Sequence, residues 1–285
     1  MSQKTDIKKI PILMYHSISC IANPKFKQFA VSPTMFDEQM AYLSEHHYTP
    51  LTVTQLIQAR TQRSGSLPER PVVITFDDGF ADFLTHALPI LQKYHFPATL
   101  YIATAFINGT SRWLQREGEG DRTMLSWEQV AEVNANAIEC GAHTHTHPQL
   151  DTLPVFRARE EIETSKKILE DHLGQEVLSF AYPHGYFSQR VQNMVQAAGF
   201  RSACAVKYAL SSVNDDPFAL ARLLAVDEMD GEAFAGLLAG DGARPATPAY
   251  ALYANARKFG WRLVRQRSVR RAERLAGQRQ EDLVP

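Results

Sequence analysis

The chain has 285 residues, of which 45% are hydrophobic and 21% are charged, and its formal net charge is −1. Such a composition is that of an ordinary globular protein and excludes an intrinsically disordered chain. The length supports a sizeable core, in one large α/β domain or in two smaller domains. The near-zero net charge indicates no particular partner.

Basic residues are concentrated near the C-terminus. Residues 251–285 contain nine Lys or Arg and three Asp or Glu, a net charge of +6, which leaves −7 for the rest of the chain. We predict a main domain over 1–245 and a basic helix or tail over 246–285. Because the segment 256–279 mixes apolar side chains with arginines, we expect it either to contact a membrane surface peripherally or to be a solvated helix. No nucleic-acid motif accompanies it, and no nucleic-acid partner is expected.

The cysteines and the N-terminus indicate the compartment. Cys20, Cys140 and Cys204 are odd in number and lack the spacing of a metal site, so they are typical of free thiols in a reducing compartment. Residues 1–16 contain no apolar run long enough for a signal peptide or a membrane span. We expect a cytoplasmic protein, with contact at the inner face of the membrane if the basic segment binds lipid. A chain from which a signal had been removed would show the same pattern.

Short apolar runs alternate with amphipathic stretches through most of the chain. The apolar runs predict buried strands, at 9–15, 71–76, 97–103, 137–142, 177–182 and 201–206. The amphipathic stretches predict helices, at 34–46, 81–94, 155–173 and 187–198. Ser126 and Gln129 form a capping box that predicts a helix start, and Gly174 and Gly199 lie where helices are expected to end. This alternation predicts a mostly parallel sheet, either open or closed into a barrel.

Four of the predicted strands end in polar residues that can carry chemistry. These residues are His16, Asp77 with Asp78, His143, and Pro183 with His184. Because the carboxyl ends of parallel strands meet at one edge of a sheet or barrel, we expect a site there. The polar segment 107–123 predicts a long loop over this site, with Trp113 and arginines available to a ligand, or else a solvated surface loop.

Two adjacent carboxylates, Asp77 and Asp78, follow a buried strand and precede Gly79. Burying both without partners would be costly. Adjacent side chains at a strand end point in different directions, so one carboxylate can bind a metal while the other stays available as a base. Taken alone, the Asp-Asp-Gly triplet favours a simple turn at the end of a strand.

His143 and His147 are four residues apart and can bind one cation if the chain turns after the strand. Imidazole nitrogens and a carboxylate oxygen suit zinc or another first-row divalent ion, and three protein ligands leave a position open for water. Histidines also bind loop backbone groups, which is the alternative for an isolated pair. Together with the Asp-Asp strand end, a metal site is the better interpretation.

Three motifs, TFDDG, HTHTHP and FAYPHG, occur in this order and resemble those of the NodB-homology polysaccharide deacetylases, carbohydrate esterase family 4. The stretches PILMYHSI and VSPTMFDEQMAYL further resemble the branch that contains the poly-N-acetylglucosamine deacetylases, whose barrel is circularly permuted. The resemblance covers about residues 9–238. It implies an α/β fold, a distorted (β/α)7-type barrel that forms a single catalytic domain, followed by the basic tail.

The resemblance also implies roles for individual residues. Asp77 corresponds to the general base, and the metal ligands are expected to be Asp78, His143 and His147. His145 falls at the position that varies between the two histidine ligands. The metal is expected to be zinc, with nickel, cobalt, iron or manganese as alternatives.

His16, in MYH, matches the general acid of the permuted branch. Other members supply this acid from a C-terminal LxH motif, and no histidine follows His184 in this chain. The alternative for His16 is a strand-end histidine bonded to backbone. Asp227 and Asp230 superficially resemble the family's acidic motif, but their context differs and we expect them to be surface charges.

The FAYPHG motif departs from the commoner RPPYG. Ala181 stands where many members have an arginine that orients the base, so the orienting cation must come from elsewhere, and Arg222 is a candidate. The backbone N–H that stabilises the oxyanion is expected near His184, with Tyr182 and Pro183 also predicted to bind the oxyanion or substrate.

These roles imply metal-dependent N-deacetylation of N-acetylhexosamine units in a polysaccharide, a lipopolysaccharide or a lipid-linked glycan, with release of acetate for cell-envelope glycan synthesis. The metal would polarise the acetyl carbonyl and acidify a water, Asp77 would accept the proton, and His16 would protonate the departing amine. One alternative is another C–N hydrolase of the same barrel that cleaves a non-sugar amide. Another is a non-catalytic glycan-binding relic, which Ala181 alone favours.

Overall fold

The computed structural model describes residues 8–61 and 67–241 of the chain. The strands are β1 Lys9–Ile10, β2 Ile12–Tyr15, β3 Ser17–Ile18, β4 Ala30–Val31, β5 Thr49–Leu51, β6 Pro71–Phe76, β7 Ala98–Ile102, β8 Ile138–Ala142, β9 Ser179–Ala181, β10 Ser202–Cys204, β11 Ser211–Ser212 and β12 Leu223–Leu224. The α-helices are α1 Pro33–Glu45, α2 Val53–Thr61, α3 Leu88–Lys93, α4 Trp127–Ala135, α5 Val155–Leu173, α6 Gln189–Ala197 and α7 Gly231–Ala239. A π-helical turn, Phe83–Ala87, precedes α3 directly.

The main sheet is parallel throughout, in the order β10-β9-β8-β7-β6-β2-β12, with β5 paired to the N-terminal half of β6. Helices follow most of its strands, as parallel connections require. Two small sheets lie outside it, the antiparallel pair β1–β11 and the parallel pair β3–β4. This curled α/β half-barrel confirms the predicted fold class.

Both faces of the main sheet are buried, which explains why its strands are continuous apolar runs. In β6, Val73 joins one apolar cluster while Val72 and Ile74 join another. In β2, Ile12 and Leu13 divide between the same two clusters. Side chains alternate across a strand, so a strand that is covered on both sides needs apolar residues at every position.

The segment 217–224 closes the curled sheet by joining its two ends. Leu220 donates to the carbonyl of Ala203 and accepts from the N–H of Ala205, beside β10. A few residues later, β12 pairs with β2 at the other end of the sheet order. Arg222 lies between these two attachments and is fully buried.

The six predicted strands are confirmed, with shifts of one or two residues at most boundaries and a break at Pro11. The four predicted helices are also confirmed, although 81–94 divides into the π-helical turn and α3. The short strands β3, β4, β5, β11 and β12 were not predicted. With two or three residues each, they are too short to show a hydrophobic period.

The predicted helix ends are observed. Ser126 and Gln129 form both hydrogen bonds of the capping box at the start of α4, and Gly174 ends α5 in the left-handed conformation. Asp230 is an exposed surface charge as predicted, whereas Asp227 is half-buried and its prediction as a surface charge is wrong. Asp227 accepts hydrogen bonds from the N–H and hydroxyl of Ser32, at 2.7 and 2.6 Å, and Asp230 caps the start of α7.

No helix within the described ranges combines the length and the apolar character that crossing a membrane requires. The basic segment 256–279 and the domain boundary at 245–246 lie outside the described residues. The membrane contact and the two-part division of the chain therefore stay predictions.

Gly141, at the centre of the sheet in β8, generates a stability prediction. A Cβ here would lie 2.6 Å from the ring of Tyr101 and 2.7 Å from the hydroxyl of Ser179. Gly141→Ala is therefore expected to lower the free energy of unfolding by about 1–3 kcal/mol, because the buried neighbours have to shift. Urea unfolding followed by circular dichroism measures this change.

The matched control is Gly231→Ala at the start of α7. A Cβ there would come no closer than 3.9 Å to Tyr42. Because alanine favours a helix, we expect unchanged or slightly increased stability. Equal stability of the two variants would contradict the predicted crowding at Gly141.

Candidate metal centre

Three side chains converge where β6 and β8 end. His147 Nε2 lies 3.2 Å from Asp78 Oδ1 and 3.2 Å from His143 Nε2, while His143 Nε2 lies 3.7 Å from Asp78 Oδ1. All three side chains are at most 8% exposed. Two ligands about 2.1 Å from a tetrahedral zinc ion are about 3.4 Å apart, so these separations suit a divalent metal.

The hydrogen bonds of the cluster also fit a metal. Asp78 Oδ1 is buried and faces the two histidine nitrogens, with no further hydrogen-bond partner, which is costly for a carboxylate unless a cation binds it. His143 Nδ1 lies 2.8 Å from the carbonyl oxygen of Ala181. A carbonyl only accepts, so Nδ1 carries the proton and Nε2 presents its lone pair to the cluster.

Left-handed backbone is concentrated around this cluster. Asp78 has φ 81°, His147 has φ 58°, Thr144 has φ 67° and His184 has φ 59°. For residues other than glycine this conformation costs about 1–3 kcal/mol and is typical of functional sites. The turn after β8 bends the histidines toward one point, and the Thr144 hydroxyl supports it by accepting the His147 N–H at 3.1 Å.

Electrostatics favour the protonation states that a metal requires. Burial lowers the pKa of His143 to about 4, so the imidazole is neutral near pH 7. Burial alone would raise the pKa of Asp78, but the neighbouring His147 offsets this effect and holds the pKa well below its ordinary value. A neutral imidazole and an ionised carboxylate are the forms that bind divalent ions.

Asp77 and Asp78 have different partners: Asp77 pairs with Arg222, whereas Asp78 lies next to His147. Arg222 donates to both oxygens of Asp77, at 2.6 and 2.8 Å, and also to the carbonyl of Ala205 and the hydroxyl of Thr75. Burial acts to raise the pKa of Asp77, but the guanidinium charge outweighs it, so the pKa lies below its ordinary value. Many family members are expected to orient the base with an arginine at the position of Ala181. In this chain Arg222, from a distant part of the sequence, contacts Asp77 instead.

His16 lies next to the same carboxylate. Its Nε2 is 4.0 Å from Asp77 Oδ2, and its ring is 4.8 Å from the ring of Phe29. Burial lowers the pKa of His16, although the two aspartates oppose this effect. Its Nδ1 has no hydrogen-bond partner. The alternative of a strand-end histidine bonded through its ring to backbone is therefore not observed.

A cleft of about 480 Å³ opens over these residues. The predicted base, acid and three metal ligands all line it. Its remaining lining comes mainly from the segments 25–29, 113–117, 184–186 and 206–208. A concave site with a few convergent polar groups is the usual form of a catalytic pocket.

Arg122 holds two of the cleft-lining segments together. Its guanidinium donates to the hydroxyl of Ser17, to Asp82 and to Glu119, and to the carbonyl of Ile21. Glu119 in turn accepts the backbone N–H of Asn23. The segment before Phe26 is therefore tied to the predicted loop at 107–123.

The loop at 107–123 does lie over the site. It contains a 3-10 helix, Arg112–Glu117, and the ring of Trp113 lies 5.2 Å from that of His147. Arg122 is engaged in the network of ion pairs and is not directed at the cleft. The solvated-loop alternative is wrong for Trp113, which lines the cleft.

The remaining predicted site residues divide between the cleft and the interior. His184 lines the cleft, with its ring 5.0 Å from that of His147. Tyr182 and Pro183 are buried and do not line it, and the Tyr182 hydroxyl donates to the carbonyl of Phe218 at 3.0 Å. His145 lies outside the ligand cluster, with Nδ1 2.9 Å from the Thr104 hydroxyl.

Glu161 of α5 is a contributor that the sequence patterns did not indicate. It accepts from the backbone N–H of Thr146 at 2.7 Å and from the Thr146 hydroxyl at 2.5 Å. Thr146 directly precedes the candidate ligand His147, so Glu161 stabilises the strained turn from outside the cluster. No local motif joins two residues that are fifteen positions apart on different elements.

Comparison with known proteins identifies the family. The family model for polysaccharide deacetylases matches residues 64–203, which include Asp77, Asp78, His143 and His147. This chain belongs to the polysaccharide deacetylase family. The predicted membership is therefore confirmed.

Individual relatives agree with the family. The YxkH protein of Bacillus subtilis is 28% identical over 226 residues, which are 79% of this chain and 75% of that protein. The poly-beta-1,6-N-acetyl-D-glucosamine N-deacetylase of Staphylococcus aureus is 24% identical over 216 residues, 73% of this chain and 71% of that protein. The Streptococcus pyogenes deacetylase PplD, solved in complex with acetate, has a TM-score of 0.70 at 25% identity and covers 81% of this chain and 99% of its own.

The first prediction for the metal centre concerns which of the histidines His143, His145 and His147 bind the metal. After loading with zinc and gel filtration, His147→Ala is expected to have lost its metal, because one of three ligands is gone. His145→Ala is expected to keep about one metal per chain, as the unaltered protein should, because His145 lies outside the cluster. Elemental analysis measures both. Metal loss in His145→Ala would contradict this ligand set.

A second prediction concerns Glu161 as a positioning residue. Glu161→Ala removes both hydrogen bonds to Thr146, and we expect zinc to bind about tenfold more weakly, as is usual when a group that orients a ligand is lost. Competition with a chromophoric chelator measures the affinity. The control is Glu160→Ala, since Glu160 pairs with Arg157 on the exposed side of α5. Equal affinities in both variants would show that Glu161 does not support the site.

Proposed function

We propose that this protein is a metal-dependent N-deacetylase that hydrolyses the acetamide of N-acetylhexosamine units in a glycan and releases acetate. The observation that carries the proposal is the paired arrangement of two adjacent carboxylates. Asp78 joins two imidazoles in a cluster that suits a metal, while Asp77 is held by Arg222 beside it. This arrangement supports a metal-binding carboxylate and a separate base in one site.

A divalent ion held by Asp78, His143 and His147 would supply Lewis-acid polarisation of the acetyl carbonyl and a more acidic water. We favour zinc, because two imidazoles and one carboxylate with an open position are a common catalytic zinc set. Nickel, cobalt, iron and manganese accept the same donor atoms.

Asp77 is suited to be the general base. Its Oδ2 lies 3.9 Å from His143 Nε2, so a water near the ligand cluster is within its reach. The two hydrogen bonds from Arg222 fix the plane of the carboxylate and stabilise its ionised form. A base that is ionised and oriented before substrate binds needs no rearrangement during the reaction.

His16 is suited to be the general acid. Its Nε2 and Asp77 Oδ2 are 4.0 Å apart, so the two groups border the same small volume. Asp77 would accept the proton of the attacking water, and His16 would give a proton to the amine as the C–N bond breaks. The backbone at His184, in its left-handed turn on the cleft, is our candidate for the N–H that stabilises the oxyanion.

The name of the Staphylococcus aureus relative supports a glycan of N-acetylglucosamine as the substrate class. The complete set of base, acid and ligands in one cleft counts against a non-catalytic relic. The position of Arg222 removes the one feature that favoured the relic, the absence of an arginine at Ala181.

Asp77→Asn is the variant that tests the assigned base. We expect acetate release from N-acetylglucosamine oligomers to fall by about 10²–10⁴-fold, because an amide cannot accept the proton. Bound zinc should remain, because the metal ligands are unchanged. An acetate assay and elemental analysis measure the two quantities. The control Asp37→Asn alters an exposed carboxylate that pairs with Lys93 and should be fully active. Unchanged turnover in Asp77→Asn would refute the role.

The substrate class has its own test. Acetate release is compared between N-acetylglucosamine oligomers and small non-sugar acetamides under identical conditions. We expect turnover of the oligomers, whereas turnover of the small amides alone would favour the other C–N hydrolase.

A further inference from the structure

Two tyrosines line the catalytic cleft and have no part in the proposed reaction. Tyr186 follows the turn that carries His184, after β9, and Tyr208 lies in the segment after β10. Because β9 and β10 are neighbouring parallel strands, the segments that follow them lie side by side at the same edge of the sheet.

The two segments are in close contact through Gly185. A Cβ on Gly185 would lie 2.4 Å from Val206 Cβ and 2.6 Å from the Val206 backbone nitrogen. Only glycine permits this approach, and it also has a φ of 71°. Tyr186 is one residue from this contact and Tyr208 is two residues from it, so one packed junction supports both aromatic side chains.

Tyr208 is unusually exposed for a large side chain at a catalytic cleft. Over the described part of the chain, the exposed large hydrophobic side chains are Ile21, Val155, Phe156 and Tyr208. Tyr208, which is 53% exposed, is the one of these four that lines the cleft. Its φ of 47° is a strained conformation for a bulky residue, which is typical where a side chain serves a ligand.

The position of the tyrosines places them next to the reacting centre. His184 lines the same cleft as the two tyrosines; its ring is 5.0 Å from that of His147, and its chain continues directly into Gly185 and Tyr186. A glycan whose acetamide reaches Asp77 would extend along the cleft, and this junction forms one of the cleft walls. The π face of an aromatic ring is negative and attracts the polarised C–H groups of a pyranose face.

We propose that Tyr186 and Tyr208 form a binding subsite for the sugar unit adjacent to the one that is deacetylated, with Tyr208 stacking against its pyranose face. This inference rests on the proposed function and makes the substrate an oligomer or polymer of at least two units. A free monosaccharide occupies the reacting position alone and gains nothing from the tyrosines.

The test compares chain lengths. For Tyr208→Ala we expect kcat/KM on an N-acetylglucosamine tetramer to fall by about threefold to tenfold, mainly through a higher KM, as one aromatic contact is lost. The same variant should leave kcat/KM on N-acetylglucosamine itself unchanged. Tyr208→Phe keeps the ring and should restore the tetramer value. Phe156→Ala, an exposed phenylalanine on α5 outside the cleft, is the control and should match the unaltered protein.

An equal loss on both substrates, no loss on either, or failure of Tyr208→Phe to restore the tetramer value would overturn the subsite. Direct binding separates this result from a failure of the proposed function. Calorimetric titration of zinc-loaded Asp77→Asn with the tetramer, with and without Tyr208→Ala, requires no turnover. If the protein releases no acetate from any glycan, the proposed function fails, and the titration still decides the subsite. Equal tetramer affinity in the two variants would then overturn it.

Discussion

The ion pair between Arg222 and Asp77 connects the segment that closes the curled sheet with the proposed base of the site. Arg222 lies on the segment that links the last strands to β2, and it also donates to Thr75 and to the carbonyl of Ala205. Both charges are removed from water, so each depends on the other for compensation. Removing one partner of such a buried pair typically costs about 3–5 kcal/mol, because the other charge is left alone.

The Arg222–Asp77 pair also depends on the position of the closing segment. Arg222 reaches Asp77 only when the segment 217–224 is in place, so the carboxylate of Asp77 has this orientation only in the closed sheet. The orientation of the adjacent Asp78 does not depend on this segment, because its neighbours are His143 and His147 after β8.

The metal centre is organised by backbone strain. Asp78, His147 and His184 are all left-handed and belong to three different strand-end turns. Such conformations persist only where surrounding contacts enforce them, and the contact between Glu161 and Thr146 is one of these. A bound cation would add to the stability of the turns, since it binds only when they are formed.

The sequence predicted the strands with both faces buried, because their continuous apolar runs are long enough to recognise. It also predicted the polar residues at strand ends, since topology brings those ends together whatever the loops do. It could not predict β12, which has two residues, or establish that Arg222 contacts Asp77 across 145 positions of sequence. The left-handed turns also escaped prediction, because Asp78 and His147 are not residue types that require them. The junction beside Tyr186 and Tyr208 depends on the packing of Gly185 against Val206, a contact that no local motif encodes.

The acceptor that orients His143 is the main-chain carbonyl of residue 181, and a main-chain group is present whatever side chain is attached. The hydrogen bond that orients His143 therefore does not depend on the side chain at position 181. Asp77, the proposed base, is oriented by the side chain of Arg222, so a replacement of Arg222 removes this orientation. The two halves of the site thus differ in what a substitution removes: a change at position 181 leaves the acceptor of His143 in place, while a change at position 222 removes the donors to Asp77.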